Sequence, residues 1–388
     1  MKNKKNLRIA MFGHKRIPSR EGGVEIVVEE LSTRMVQLGH SVTCYNRKGH
    51  HVSGAEFDGK DISQYKGVRI KGVWTIDKKG LAAVTSSFFA ALRSAFSTAE
   101  VVHIHAEGPA FMCWLPKLLG KRVIVTVHGL DWQREKWKSG FGAQYIRMGE
   151  KMAVRFADEI IVLSRNVQEY FRSTYHRETK WIPNGVSRPR IREAEEITAK
   201  FGLEKDGYIL FLGRLVPEKG IRYLIEAFRK VETAKKLVIA GGTSDTDAYV
   251  QELKTLAQGD SRILFTGFVQ GRTLEELYSN AYLYVLPSDV EGMPLSLLEA
   301  MSYGNCCVTS DIEECAEVME DHGVTFRKGD TTDLTNILQQ LCKDTPVVER
   351  HKEDAAEYIC RKYSWDTVVA ETLSLYREEA NHESAAGK

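Results

Sequence analysis

Two series of short apolar runs, each followed by an amphipathic stretch, fill almost the whole 388-residue chain. In the first, NLRIAMFG leads through the loop HKRIPSREGG into VEIVVEELSTRMVQLG, where Val24, Val27, Val28, Leu31, Met35 and Leu38 recur at helical spacing. HSVTCYNR, LAAVTSSFFAALRSAF, AEVVHIHA, KRVIVTVHG and DEIIVLS continue that alternation. In the second series YILFLGR, GIRYLIEAFRKV, KLVIAGG, DAYVQELKTLA, RILFTGFV, LEELYSNA, YLYVLPS, a helix led by Pro294 and CCVTS repeat it. Runs that are apolar on both faces belong in parallel sheets, whose neighbouring strands need a crossover helix between them. The predicted fold class is α/β: two doubly wound parallel-sheet (Rossmann-like) domains facing across a cleft. The charged stretch RPRIREAEEITAKFGLEKDG links the series, so the first domain is expected over 1–190, the second over 200–364, and the boundary near 186–205. The tail NHESAAGK reads as disordered.

A net charge of +2 conceals a segregation: residues 1–192 hold 33 Lys+Arg against 17 Asp+Glu, and the remainder holds 21 against 35. The first half is thereby expected to meet something anionic. Nucleic acid fits poorly, because no recognition helix or aromatic platform accompanies the charge. An anionic membrane surface fits better, through Lys15, Arg16, Arg134, Lys136, Lys138, Arg147 and Lys151. No apolar run reaches the roughly 18 residues of a spanning helix, and the start runs into a strand instead of a signal peptide. A cytoplasmic protein is expected, with peripheral contact at the inner face of the cell membrane. Seven cysteines without paired ligand spacing point to reduced thiols, not to disulfides or a structural zinc.

Ligands of such sheets bind beyond the carboxyl ends of the strands, so the loops there carry the chemistry. Gly22 and Gly23 precede a helix whose N-terminal N–H groups could meet a phosphate, although the spacing is not that of a dinucleotide fingerprint. In FLGRLVPEKG, Arg214 and Lys219 could bracket a diphosphate, the guanidinium bidentately and the ammonium as a point charge. SDVEGMPLSLLEA sets Glu291 ahead of a helix with Pro294 in its first turn, the N–H groups of Leu295 and Ser296 exposed, and Glu299 in the second turn. A carboxylate beside a phosphate is repulsive unless it accepts hydrogen bonds from neutral hydroxyls, as a ribose or a sugar ring would supply. His128, directly after the strand VIVTV, points into the expected cleft, where its imidazole could reach a sugar hydroxyl or move a proton. The D-x-D of Asp245 and Asp247 opens a helix and reads as a cap in preference to a metal site. His103 and His105 share a strand face without a third ligand and read as strand-end residues.

Taken in order, GG, T-x-HG, GR-x4-KG and EG-x-P-x4-E resemble the retaining GT-B glycosyltransferases of family 4 over nearly the whole chain. YSWDTVVAETLSLY is similar to the C-terminal helix, near 365–382 here, that crosses back to the first domain in that family. REGGVEIVVEELSTRMVQLGHSVTCYNR with HGLDWQREKW further resembles a bacterial subgroup that includes rhamnosyltransferases of capsule and cell-wall polysaccharide assembly. The resemblance implies that Gly22, Gly23, Arg214, Lys219 and the backbone of Leu295 and Ser296 hold the diphosphate of a UDP-type sugar donor. Glu299 would take the ribose, backbone near Phe268 and Val269 the base, and Glu291 with Gly292, Met293 and Pro294 the sugar, which His128 approaches from the first domain. Met293 stands where the family commonly has an aromatic residue, and Pro294 supplies no N–H. The implied activity is metal-independent transfer, without cofactor, to a saccharide acceptor linked to a polyprenyl diphosphate, by front-face attack. His128, Glu291, Arg214 and Lys219 form its catalytic set. Alternatives from other classes are a nucleotide-sugar 2-epimerase of the same fold and a non-catalytic sugar-nucleotide-binding protein. An NAD-dependent oxidoreductase would need an acid after the second strand, and HSVTCYNR ends without one.

Overall fold

The computed structural model describes residues 6–48, 62–76, 78, 80–133, 141–242 and 247–377. These divide into two compact units, one running to Asn184 and resuming at Trp365, the other spanning Gly185–Ser364.

Unit 1 is built on β1 (Arg8–Phe12), β2 (Ser41–Arg47), β3 (Gln64–Tyr65), β4 (Val68–Val73), β5 (Val101–His105), β6 (Arg122–Val127), β7 (Glu159–Val162) and β8 (Lys180–Trp181). Their order in the sheet is β3-β4-β2-β1-β5-β6-β7-β8, parallel except for the β3–β4 pair. All five residues of β5 are buried, histidines included, as a central strand covered on both faces requires. Helix Gly23–Gln37 buries Val27, Val28, Leu31 and Met35, but Leu38 lies one residue beyond its end and is 60 % exposed, so the expected apolar stripe stops short. The C-terminal helix Trp365–Arg377 is tied to this unit by Arg34 Nη1 donating to Asp366 (2.8 Å), Arg122 Nε donating to the Leu375 carbonyl (2.7 Å) and a His103 Nδ1–Tyr376 hydroxyl bond (2.6 Å).

Unit 2 carries β9 (Tyr208–Leu212), β10 (Lys236–Ala240), β11 (Ile263–Gly267), β12 (Leu283–Leu286), β13 (Cys307–Ser310) and β14 (Val324–Phe326), parallel throughout in the order β11-β10-β9-β12-β13-β14. The segment expected as a plain connector contains helix Glu196–Phe201, too short to show a periodicity. In both units the strand order reverses beside the first strand, between β1 and β5 and between β9 and β12. Each reversal opens a crevice at the carboxyl ends of its two strands. A glycine presses on a carbonyl at each: a Cβ on Gly13 (φ +111) would lie 2.0 Å from the His105 oxygen, and one on Gly220 (φ +64) 1.9 Å from the Pro287 oxygen. Only glycine fits either position.

Candidate active site

At the reversal point of unit 2, Lys219 Nζ donates to Glu291 Oε1 at 2.5 Å, with the two side chains only 14 % and 9 % exposed. Ser288 Oγ donates to the same oxygen at 2.6 Å. The loops that carry the pair are joined by the Asp289 N–H donating to the Glu218 carbonyl at 2.8 Å. Among the described residues Lys219 has no second acceptor and Glu291 Oε2 no donor. Withdrawing both charges from water is costly unless the remaining hydrogen-bonding capacity is used, and a ligand with anionic and hydroxyl groups would use it.

The helix Leu295–Ser302 starts beside this pair with Pro294 as its cap, in extended conformation and without a capping side chain. Pro294 was expected inside the first turn; instead its carbonyl accepts the N–H groups of Leu297 and Leu298 at 3.1 and 3.2 Å. The N–H groups of Leu295 and Ser296 have no acceptor within the helix, so they and the positive end of the helix dipole face outward. Tyr284, fully buried on β12, donates to Ser296 Oγ at 2.9 Å and lies 3.2 Å from the Leu212 carbonyl, tying the start of this helix to the end of β9. Burial pushes the Tyr284 hydroxyl well up, so it stays a neutral donor. Arg214 stands in the loop after β9, its carbonyl accepting the Val216 N–H at 3.0 Å. Glu299, one turn into the helix, accepts from the Tyr278 hydroxyl at 3.2 Å, and Tyr278 stacks on Tyr303 at 5.1 Å. Gly292 and Met293 are buried, while Phe268 and Val269 follow β11 half-buried, with Phe268 facing Gly242. Tyr278, Tyr284 and Ser288 are absent from the sequence-based site. The run YLYVLPS signals a buried strand but not where its hydroxyls point.

In unit 1, His128 follows β6 and its Nε2 lies 3.1 Å from His105 Nδ1. His103 and His105, expected as strand-end residues, lie at the end of β5 and are completely buried. His103 bonds Tyr376 and, at 2.7 Å, Thr126. Burial, aided by the charge of His128, lowers the His103 pKa to about 3, and burial with the other histidines holds His105 well below its ordinary value. His14, bonded to Asn46 at 3.0 Å, is lowered to about 4, mainly by burial. Gly22 caps helix Gly23–Gln37 in ordinary extended conformation (φ −163). Its requirement is space: a Cβ there would come 2.6 Å from Glu25 Oε2. Glu25 is itself buried. Desolvation raises its pKa, but the charge and N–H of Lys15 outweigh that and hold the carboxyl below its usual range. Of the expected basic face, Arg134, Lys136 and Lys138 lie outside the described residues, as does Asp245. Asp247 is the first residue of helix Asp247–Ala257. Among the described residues no group of three or more His, Cys, Asp or Glu is placed to hold a metal, and no helix is long and apolar enough to cross a membrane.

Residues 21–190 match the family model described as Glycosyltransferase Family 4, and residues 206–344 match Glycosyl transferases group 1. An uncharacterized glycosyltransferase of Methanocaldococcus jannaschii is 25% identical, covering 96% of this chain and 98% of its own. Alpha-maltose-1-phosphate synthase of Mycolicibacterium smegmatis is also 25% identical, covering 96% and 99%. Among solved structures, sucrose-phosphate synthase from Thermosynechococcus elongatus superposes with a TM-score of 0.79 at 21% identity over 96% of this chain and 98% of that one. HepE from Anabaena, in complex with UDP and glucose, does so with 0.78 at 17% identity over 95% and 100%. With each unit matched by a glycosyltransferase model and the sheets arranged as in enzymes of that fold, the chain belongs to the family 4 glycosyltransferases of GT-B fold.

Proposed function

We propose that this glycosyltransferase moves a sugar, with retention of configuration, from a nucleoside-diphosphate donor to a saccharide acceptor carried on a polyprenyl diphosphate. The observation that carries the donor half is the part-buried Lys219–Glu291 pair, its spare donors and acceptor unmatched among the described residues, beside the uncapped N–H groups of Leu295 and Ser296. Lys219, Arg214 and those amides take the diphosphate. Glu291 and the amides of Gly292 and Met293 take the sugar hydroxyls, Glu299 the ribose, and the backbone near Phe268 and Val269 the base. Pro294 contributes only its carbonyl, which the helix already uses. The HepE complex with UDP and glucose supports a donor of this class.

As the anomeric C–O bond breaks, negative charge grows on the leaving diphosphate, and fixed cations with helix amides stabilise it where it appears. In unit 1, Gly22, Gly23 and His128 are the residues assigned to sugar transfer, and the acceptor hydroxyl attacks from the face the leaving group vacates. Two cations already supply the neutralisation a divalent ion would bring, so chelation with EDTA is expected to leave the rate unchanged. Lys15, Arg16, Arg147 and Lys151 provide a basic face for anionic lipid, and salt-sensitive flotation with anionic liposomes is the matching test. Function is tested by incubating the protein with a panel of sugar nucleotides and following nucleoside diphosphate release, with and without lipid-linked saccharides. Acceptor-dependent release is expected. Epimerised sugar nucleotide in a donor-only incubation, or no turnover with any donor, would overturn the reading.

A further inference from the structure

Two buried glutamates of unit 1 take no part in the chemistry above. Glu107 opens the short helix Glu107–Ala110 after β5, Glu150 lies in helix Phe141–Phe156, and they are 1 % and 0 % exposed. The elements meet closely, since a Cβ on Gly149 would fall 1.9 Å from the Glu107 carbonyl oxygen. One oxygen of each carboxyl is satisfied. Glu107 Oε2 accepts the Asp131 N–H at 2.8 Å, and Glu150 Oε2 accepts the hydroxyls of Tyr170 and Tyr175 at 3.0 and 2.8 Å. The two remaining oxygens, both Oε1, are buried without a donor, and the Glu150 carboxyl lies near enough to act on that of Glu107. Two carboxylates cannot bond each other because both only accept. A single proton between the Oε1 atoms satisfies both at once.

The proton belongs on Glu107. Burial first, then the charges of Asp131 and Glu150, push its carboxyl well above the usual range, whereas Glu150 Oε2 already accepts two tyrosine hydroxyls. We propose that Glu107 is a positioning residue: kept as a neutral acid that donates to Glu150, it fixes the Asp131–Gln133 turn that follows His128. The turn is held on two further sides, by the Arg147 guanidinium 4.6 Å from the Trp132 ring and by Tyr170 6.1 Å from it. Facing the pair are thus Asp131 from the turn, Arg147 beyond Trp132 on Glu150's helix, and Tyr170 and Tyr175 from helix Arg165–Tyr175. Tyr170, raised to about 12 chiefly by burial, stays neutral when Glu107 ionises. Loss of the Glu107 proton leaves two carboxylates close together in the core; the Asp131 N–H favours the ionised form, but burial and the charges of Asp131 and Glu150 outweigh it, so the repulsion pushes Glu107 out of its place against the turn.

The consequence for sugar transfer rests on the reading of His128 given above, but the proton itself can be tested without any donor. The experiment compares infrared spectra and melting from mildly acid to alkaline pH for wild type, Glu107→Gln, Glu107→Ala and Glu150→Gln. The side chain introduced by Glu107→Gln reproduces the neutral acid, its oxygen accepting from Asp131 and its amide donating to Glu150. At neutral pH wild type is expected to show a protonated-carboxyl C=O band that both glutamine variants lack. Glu107→Gln should melt with wild type at acid pH near the ordinary carboxylate range, outlast it increasingly as pH rises above that range, already so at neutral pH, and lose the alkaline limb of any transfer profile, while Glu107→Ala melts earlier throughout. If Glu107→Ala does not fold, Glu150→Gln decides, because the amide it introduces donates to an ionised Glu107 and should abolish the band with the fold intact. Absence of the band in wild type, or a Glu107→Gln melting profile that falls with pH as steeply as wild type, would overturn the proposal.

Discussion

At the reversal point of unit 2, partly buried polar groups answer one another, Lys219 in an ion pair with Glu291 and Glu299 with the Tyr278 hydroxyl. At that of unit 1, burial works against charge: His14, His103 and His105 all titrate below the ordinary imidazole range, each engaged through a hydrogen bond, His14 with Asn46, His103 with Tyr376 and His105 with His128. A paired charge is useful where a ligand's charge changes during reaction, because a fixed cation stabilises the charge as it develops. A neutral donor or acceptor suits the reading of uncharged hydroxyls, and it makes the unit sensitive to pH instead of to salt. Whole-chain composition points the other way, since the half rich in Lys and Arg is the one whose buried histidines are uncharged.

The largest effects expected from this contrast are on turnover in unit 2. Lys219→Ala or Arg214→Ala should each lose roughly 2–4 kcal/mol of transition-state stabilisation, by analogy with removal of one oxyanion donor, read as kcat/KM for donor consumption. Glu291→Gln sharpens the point by moving two quantities in opposite directions. It frees Lys219, so a bare nucleoside diphosphate should bind several-fold tighter in calorimetry while sugar transfer slows. Glu299→Ala should weaken nucleotide binding by about 1.5–3 kcal/mol, the range for hydrogen bonds to a charged group.

Smaller effects belong to unit 1 and appear on acidification. A histidine whose folded pKa is depressed contributes stability that is whole above its unfolded value near 6.5 and drains as pH falls toward its folded value, about 4 for His14 and about 3 for His103. The slope is up to about 1.4 kcal/mol per pH unit for each histidine. Hydrogen exchange at pH 5 against pH 7 should therefore show protection lost in unit 1 before unit 2, and equal loss in both would break the contrast. Tyr376→Phe, which removes the hydroxyl from His103, should cost about 1 kcal/mol in denaturant melts.

What could be read ahead of the structure was what neighbouring residues encode. The alternation of runs identified both parallel sheets, and the rule of strand carboxyl ends drew Lys219 and Glu291 into one site although 72 positions separate them. Their direct ion pair was not legible, nor was the cap role of Pro294, which depends on where the preceding bend ends. The hydrogen bond of His103 was not legible because its partner Tyr376 lies 273 positions away, and a histidine on an apolar strand looks the same whether its nitrogens are satisfied or not. Glu107 and Glu150 gave no signal at all, since acids on helices are ordinarily solvated and only the tertiary fold sets their carboxyls together.

The central claim is that Lys219 grips the diphosphate of a nucleotide sugar within unit 2. Its most direct measurement is a thermal shift with a panel of sugar nucleotides on wild type and Lys219→Ala, because a ligand bound to the folded state alone raises the melting temperature by mass action. The account expects at least one sugar nucleotide to stabilise wild type and to lose most of that shift in Lys219→Ala. A shift of undiminished size in the variant would contradict it.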